Sequence, residues 1–381
     1  MTYIMSVFPW DGWKTKKIVK KMNVISGKIT VIVCPVVDGR KSFSRKILRL
    51  LQIFLCLFPK NVLLNKVEIS ESDKVIYYNQ VNHWESVWES FSSKGIKTIK
   101  KLAKLGNAWA LYDYSFEKPE LDYFEYHVSW HCNLKCKGCG HYSNLQSNPR
   151  FANFEQYKKD LSRLHELVQN IRTIKLLGGE PFLNPQLSEF VMQTRKEFPG
   201  AIIRVVSNGL LIPKIGDDVM KAIADNNATL EITQYPPTAK IVNQIEAKCK
   251  QFNIPLFVSP LVKEFFSSSD GSEIGDIQEN WDRCEVKICH FLCDGYLAVC
   301  GAPIFVKEMA DKIDYKGVVD KKDMINIYDN ELTGEKLVEL MNTPINFCKY
   351  CVKTRFFKWE SGCREYFTDQ MLKSQINELK G

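Results

Sequence analysis

No stretch of this 381-residue chain reaches the roughly eighteen apolar residues that a membrane-spanning helix needs. The longest candidate, Ile47 to Phe58, is interrupted by Arg49 and Gln52 and closed by Pro59. The first residues lack the small-residue cleavage site of a secretory signal, with Asp11 and Lys14 following only a few apolar positions. Both absences predict a cytoplasmic protein. Acidic charge is scarce in the first third: residues 1–120 hold 20 Lys and Arg against 10 Asp and Glu, which leaves 32 against 34 of the totals 52 and 44 for the rest. This N-terminal excess accounts for the net charge of +8. It suits a solvated surface, or peripheral docking on a membrane or a glycosyltransferase; nucleic acid is not the expected partner.

The first third also lacks any chemical motif. Ile29 to Val37 reads as a strand, and Ile47, Leu48, Leu51, Phe54 and Leu55 share a helical face in the basic segment Lys41 to Pro59. Lys74 to Tyr78 reads as a short strand and Trp84 to Leu105 as a helix. The region 1–120 is therefore expected to be mainly helical or mixed. With 45% apolar and 25% charged residues, the 381 residues suffice for two or three domains with packed cores.

Cysteine, by contrast, is plentiful, with thirteen in all. Without an export signal they argue against a disulfide framework and for metal binding. Cys34, Cys56 and Cys249 stand alone and read as small buried hydrophobes, while the other ten lie in close groups after residue 130. The first group is Cys132, Cys136 and Cys139, spaced so that three thiolates can converge on one soft metal centre. A local trio leaves one position of a four-iron cluster without a protein ligand. A zinc knuckle completed by His131 or His141 is the structural alternative.

From Tyr123 onward the pattern becomes α/β. Strands are predicted at Tyr123 to Trp130 and near 173–177, 202–206, 229–234 and 255–259. They alternate with helices at Phe154 to Asn170, capped by Asn153, and near 186–197, 215–226 and 240–251. Such alternation implies a parallel sheet with crossover helices, whose ligands collect at the carboxyl ends of the strands. One predicted strand ends in Gly178-Gly179-Glu180-Pro181 and the next in Ser207-Asn208-Gly209.

A Cys-x3-Cys-x2-Cys loop, a strand ending in Gly-Gly-Glu-Pro and a strand ending in Ser-Asn-Gly, in this order over roughly residues 123–260, resemble the radical S-adenosylmethionine (radical SAM) enzymes. The resemblance implies an open, partial (β/α)6 TIM barrel with the cluster loop after its first strand. It implies that Cys132, Cys136 and Cys139 each bind one iron of a [4Fe–4S] cluster and that S-adenosylmethionine chelates the fourth. An electron passed to the sulfonium then yields methionine and a 5′-deoxyadenosyl radical that abstracts hydrogen. A donor such as flavodoxin or ferredoxin is the implied electron source. Gly178, Gly179 and Glu180 are the residues expected at the ammonium of the cosubstrate, Ser207 and Asn208 at its ribose or carboxylate, and Gln234, with Tyr235, at the adenosyl group or substrate. Most family members carry an aromatic residue just before the third cysteine, where this chain has Gly138; His141 and Tyr142 are the nearest substitutes, or else packing residues.

The second cysteine group comprises Cys284, Cys289, Cys293, Cys300, Cys348 and Cys351, with Cys363 beyond. Asp294-Gly295 between apolar runs predicts a β-hairpin that brings Cys300 beside an upstream cysteine. The arrangement resembles the twitch extension, a shortened SPASM domain, which implies one auxiliary [4Fe–4S] cluster on Cys284, Cys300, Cys348 and Cys351. Cys289, Cys293 and Cys363 are possible substitutes, and a four-cysteine zinc ribbon is the alternative. The chain thus reads as 1–120 of unassigned function, a core at 121–265 and a cysteine-rich extension at 266–381.

Resemblance to twitch-bearing proteins associated with bacterial surface-polysaccharide synthesis implies oxidation, epimerisation or elimination on a carbohydrate or nucleotide sugar. Maturation of a ribosomally made peptide is the second reading, although residues 1–120 show no obvious leader-binding winged helix. A non-catalytic, metal-stabilised scaffold is the third.

Overall fold

The computed structural model describes residues 2–7, 30–35, 62–63, 76–78, 98–105, 108–115, 118–267, 271–352 and 355–363. The chain divides into two compact units, Met1–Lys118 and Pro119–Gly381.

In the first unit the described residues are strands: β1 (Thr2–Val7), β2 (Thr30–Pro35), β3 (Val62–Leu63), β4 (Ile76–Tyr78), β5 (Thr98–Leu105) and β6 (Ala108–Ser115). β1, β2 and β3 form one parallel sheet; β4 pairs parallel with β5, and β5 antiparallel with β6. The strands expected at Ile29 to Val37 and Lys74 to Tyr78 coincide with β2 and β4, in keeping with a mixed region. Thr98–Leu105, predicted as the end of a helix, is a strand because it pairs along its whole length with β6, whose Trp, Tyr and Leu content favours a sheet. The predicted helical face around Ile47 to Leu55, Cys56 and the start of the Trp84 helix lie outside the described residues.

The second unit alternates strand and helix as the sequence predicts: β7 (Glu120–Ser129), α1 (Phe154–Leu167), β8 (Asn170–Gly178), α2 (Leu187–Glu197), β9 (Ile202–Ser207), α3 (Asp217–Asp225), β10 (Thr229–Ile232), α4 (Val242–Gln251) and β11 (Leu256–Val258). Asn153 caps α1, its side chain accepting from the Gln156 amide at 3.1 Å. These five strands are parallel neighbours in sequence order. Their helix-facing side chains, among them Phe124, Tyr126, Ile174, Leu176, Ile203, Val205 and Leu230, pack on Tyr157, Leu161, Phe190 and Ile223 in the main core.

After β12 (Glu264–Ser267) and α5 (Ile277–Asp282) comes the predicted hairpin, β13 (Phe291–Cys293) and β14 (Tyr296–Ala298). Its turn residues Asp294 and Gly295 both have left-handed backbones, φ 43° and 82°. α6 (Ala302–Glu308), β15 (Met324–Asn326), α7 (Gly334–Met341) and β16 (Arg355–Lys358) complete the order. β13 joins the free edge of β7 in parallel, so the sheet runs β11-β10-β9-β8-β7-β13-β14-β15. Six of its strands are therefore parallel, as in a partial (β/α)6 barrel, but the sixth adds beside the first rather than after the fifth. Buried Asp160 of α1 fastens the hairpin, accepting from the Gly295 amide at 3.0 Å and the Tyr328 hydroxyl at 2.7 Å. β12 and β16 form a separate antiparallel ribbon.

Candidate active site

β7 ends at Ser129, and the chain turns at once into the cysteine loop. Cys132, Cys136 and Cys139 pack in one small cluster with Leu134, Leu210, Tyr235, Phe265 and Trp359. The loop backbone is tight, with Lys135 at φ 51° and Gly138 at φ 61°. Two of the sulfurs have N–H groups aimed at them. Cys132 Sγ accepts from the Leu134 amide at 3.4 Å and from Asn208 Nδ2 at 3.6 Å, Cys136 Sγ from Trp359 Nε1 at 3.3 Å, and the backbone around His141 and Ser143 lowers the Cys139 thiol against its burial. Burial pushes the Cys132 thiol up to about 11 and Cys136 to about 12, and it raises Cys139 as well; Cys132 and Cys136 further feel the charge of neighbouring cysteines. Three mutually repelling buried thiolates form only when a cation compensates them, which is the linkage expected of a metal loop.

The end of β8 lies directly against this loop. A Cβ on Gly178 would stand 2.0 Å from the Ser129 carbonyl oxygen, and one on Gly179 would stand 2.1 Å from that of His131. The Gly179 amide donates to Ser129 O at 2.8 Å and the Glu180 amide to His131 O at 3.0 Å. An ammonium only donates, so what the glycines can offer it is their carbonyl oxygens. Glu180 is fully buried and accepts from the Ser207 hydroxyl at 2.8 Å, the Asn208 amide at 2.9 Å and the Phe182 amide at 3.1 Å. It ties the ends of β8 and β9 together. Asn208 Nδ2 also donates to Asn133 Oδ1 at 2.7 Å, which draws the end of β9 onto the cysteine loop. Gln234 follows β10; its amide donates to Ser259 Oγ at 3.0 Å and its carbonyl accepts from Val262.

Burial pushes the Glu180 carboxyl up to about 7, its three hydrogen bonds pulling the other way. The folded carboxyl thus holds its proton more tightly than the unfolded one, so its contribution is complete below the ordinary value and is lost as pH rises through the folded one. In the metal-free protein, stability is expected to fall by on the order of 3 kcal/mol between pH 4.5 and 7, and Glu180→Gln to flatten that slope. Urea denaturation across this range checks both.

His141 turns away from the loop: its Nδ1 lies 2.6 Å from His127 Nε2, and its ring meets His127 and Phe305. His131 Nδ1 accepts from the Arg150 amide at 3.2 Å, and Tyr142 packs in the neighbouring core. The space beside Gly138 is instead filled from β16, because a Cβ on Gly138 would meet the Phe357 ring at 2.2 Å. Phe357, Trp359 and Asn133 are the residues that sequence reasoning missed.

The second cysteine group sorts itself in space. Cys300 feels the charges of Cys351, Cys348 and Cys284; Cys351 feels those of Cys348 and Cys284. α5 holds the 348–351 turn, Asn280 Nδ2 donating to Cys348 O at 2.8 Å and Arg283 Nη2 to Cys351 O at 2.7 Å. Cys289 feels the charges of Glu125, Lys175 and also Cys284, Cys293 feels those of Asp294, Glu308 and Arg150, and the Cys363 amide donates to Lys135 O of the first loop at 3.0 Å. Among the described residues no three His, Cys, Asp or Glu side chains meet around a single-ion position.

The sheet face opposite the helices carries a charged layer. Glu231 accepts from Lys175 Nζ at 2.8 Å and Arg204 Nη1 at 2.9 Å, and the Tyr123 hydroxyl donates to Glu125. Although burial pushes the Glu231 carboxyl up, the two cations hold it below its ordinary range.

Residues 127–244 match the family model of the Radical SAM superfamily, a segment that contains the three loop cysteines, Gly178-Gly179-Glu180, Ser207-Asn208 and Gln234. The match supports the radical SAM assignment, and proteins of this superfamily use a [4Fe–4S] cluster and S-adenosylmethionine. The chain is 28% identical over 264 residues to a GTP 3′,8-cyclase of Clostridium acetobutylicum, covering 62% of this chain and 78% of that one. It is 26% identical over 170 residues to a probable GTP 3′,8-cyclase of Methanococcus vannielii, covering 44% and 56%. Among solved structures, BtrN in complex with AdoMet and 2-DOIA is similar at a TM-score of 0.38 and 16% identity, over 62% of this chain and 94% of that one. The loop fits the superfamily's cluster: its three soft sulfur donors pack together, and two of them accept from N–H groups.

Proposed function

We propose that the chain is a radical SAM enzyme acting on a small polar substrate, a carbohydrate or a nucleotide sugar. The observation that carries this reading is the meeting of the three thiols with the ends of β8 and β9 through Gly178, Gly179 and Asn208. Cys132, Cys136 and Cys139 would hold the cluster, which with S-adenosylmethionine supplies a one-electron route to a carbon radical that abstracts hydrogen. Asn208 orients Cys132, and Glu180 locks the two strand ends so that the loop keeps one shape. Leu134, Tyr235 and Phe265 line the loop with apolar surface that excludes water. An electron donor such as flavodoxin or ferredoxin serves the cluster.

Support for a polar substrate comes from the charged layer Lys175, Arg204, Glu231 and Glu125, which offers ionic and hydroxyl-binding groups to a sugar or a phosphate. The two relatives named as GTP 3′,8-cyclases point the same way, toward a nucleotide-bearing molecule. Cys284, Cys300, Cys348 and Cys351 are the quartet for an auxiliary cluster of the twitch type, because their charges interact, with Cys289, which also feels the charge of Cys284, as the alternative ligand.

Deuterium transfer tests the substrate class. Anaerobically reconstituted protein is incubated with S-adenosylmethionine, a reductant and a panel of deuterated sugars, nucleotide sugars and peptides, and 5′-deoxyadenosine is weighed by mass spectrometry. Mass gain with a sugar or nucleotide sugar is expected. Gain only with peptides replaces the substrate class, and no 5′-deoxyadenosine under any condition overturns the enzyme.

A further inference from the structure

The segment from β16 to Cys363 is laced onto the cysteine loop. The Lys137 amide donates to Glu360 O at 2.9 Å, the Gly362 amide to Leu134 O at 3.1 Å and the Cys363 amide to Lys135 O at 3.0 Å. Lys137 Nζ pairs with Glu360 at 3.2 Å. Within the ribbon Phe357 lies opposite Phe265, and its ring fills the place of a side chain at Gly138. Trp359 follows, stacked on Tyr235 with ring centroids 5.3 Å apart and planes at 20°, and only 9% exposed. Its indole N–H points at Cys136 Sγ, 3.3 Å away.

We propose that Trp359 is a positioning residue for the loop, one that fixes the direction of the Cys136 sulfur and makes the cluster held there easier to reduce. The inference rests on the reading that Cys132, Cys136 and Cys139 carry that cluster. An N–H donor to a cluster sulfur stabilises the more negative, reduced state, and hydrogen bonds to sulfur are among the groups that set such potentials. The indole is well placed for this because nothing about it is loose: stacking on Tyr235 and the backbone ties on both sides of the loop remove the freedom that would blur the contact. The chain spends a buried tryptophan where a loop only needing cover would accept any apolar side chain. A glycine at 138 is the matching requirement on the loop side, since any larger residue there displaces Phe357 and with it the strand that carries Trp359.

Trp359→Phe keeps an aromatic ring against Tyr235 and removes the donor. In reconstituted protein followed by redox titration of the EPR signal that changes on adding S-adenosylmethionine, this variant is expected to show a midpoint shifted to lower potential with iron content unchanged. A merely structural tryptophan would change iron content or melting temperature and leave the midpoint of the retained cluster where it was, and an unshifted midpoint overturns the proposal. Should the variant fail to accumulate, wild-type protein labelled with 15N-indole tryptophan answers the same question: an indole-nitrogen hyperfine coupling to the reduced cluster is expected, and its absence overturns the proposal. If wild-type protein shows no signal that responds to S-adenosylmethionine, the cluster reading itself falls, and this inference with it.

Discussion

Cys136→Ala is expected to reduce 5′-deoxyadenosine formation to the protein-free background, whereas Cys300→Ala is expected to retain an EPR signal that responds to S-adenosylmethionine while losing part of the iron. Removing one of three thiolates from the loop leaves two sulfur donors and a hole beside the Trp359 indole, and two donors do not hold a four-iron cluster at an open corner. Cys300 belongs to the other group of thiols, whose charges interact with one another across the hairpin and the 348–351 turn. Iron analysis and EPR of the two reconstituted variants, side by side with wild type, check the assignment of both groups. Equal loss of the S-adenosylmethionine-responsive signal in both would mean that the thiols serve one centre. Zinc in place of iron in the second group would make it a ribbon that stabilises the extension without electron transfer.

Gly179→Ala is expected to damage the fold beside the cysteine loop. Its methyl group would stand 2.1 Å from the His131 carbonyl oxygen and 2.3 Å from that residue's carbonyl carbon. These are backbone atoms at the start of the cysteine loop, held by the hydrogen bond from the Glu180 amide, so neither side yields cheaply. Relief requires the end of β8 and the loop to part, at a cost of about 3 kcal/mol by the usual penalty for forced overpacking. Thermal denaturation of the metal-free protein should register the loss. Reconstituted iron should fall as well, because the displaced backbone begins the segment that carries Cys132.

Much of the second unit was legible because its physics is local. Strands with one face buried under helices, such as β9 with Ile203 and Val205, read as short runs rich in Ile and Val, and amphipathic helices between them fix a parallel sheet. Asn153 announces the start of α1 by its side-chain chemistry, and Asp294-Gly295 announces a turn that only left-handed backbones can make. The loop cysteines were legible through spacing. What escaped depends on partners far away in the chain. Nothing near Gly138 says that Phe357 will supply its missing ring, nothing near Cys136 names Trp359, and nothing in Thr98–Leu105 says that β6 will turn a helix-compatible run into a strand. Glu180 was legible as a residue of the site, but the three donors that converge on its carboxylate come from the turn after β8 and the end of β9, a pairing that only the folded sheet creates. Cys284 was legible as the favoured member of the second group through its spacing to Gly295 and Cys300.

The docking of β13 on β7 bears on how this molecule can be cut. A ten-residue central strand with one side unpaired is a template for intermolecular pairing, and the hairpin pairs with the middle of that side at Glu125 and Tyr126. A truncation ending near residue 265 would keep every motif of the family segment yet bare the rim of the strand that leads into the cysteine loop. Such a fragment should be more prone to aggregate, so the cysteine-rich extension also covers the middle of this edge, at Glu125 and Tyr126.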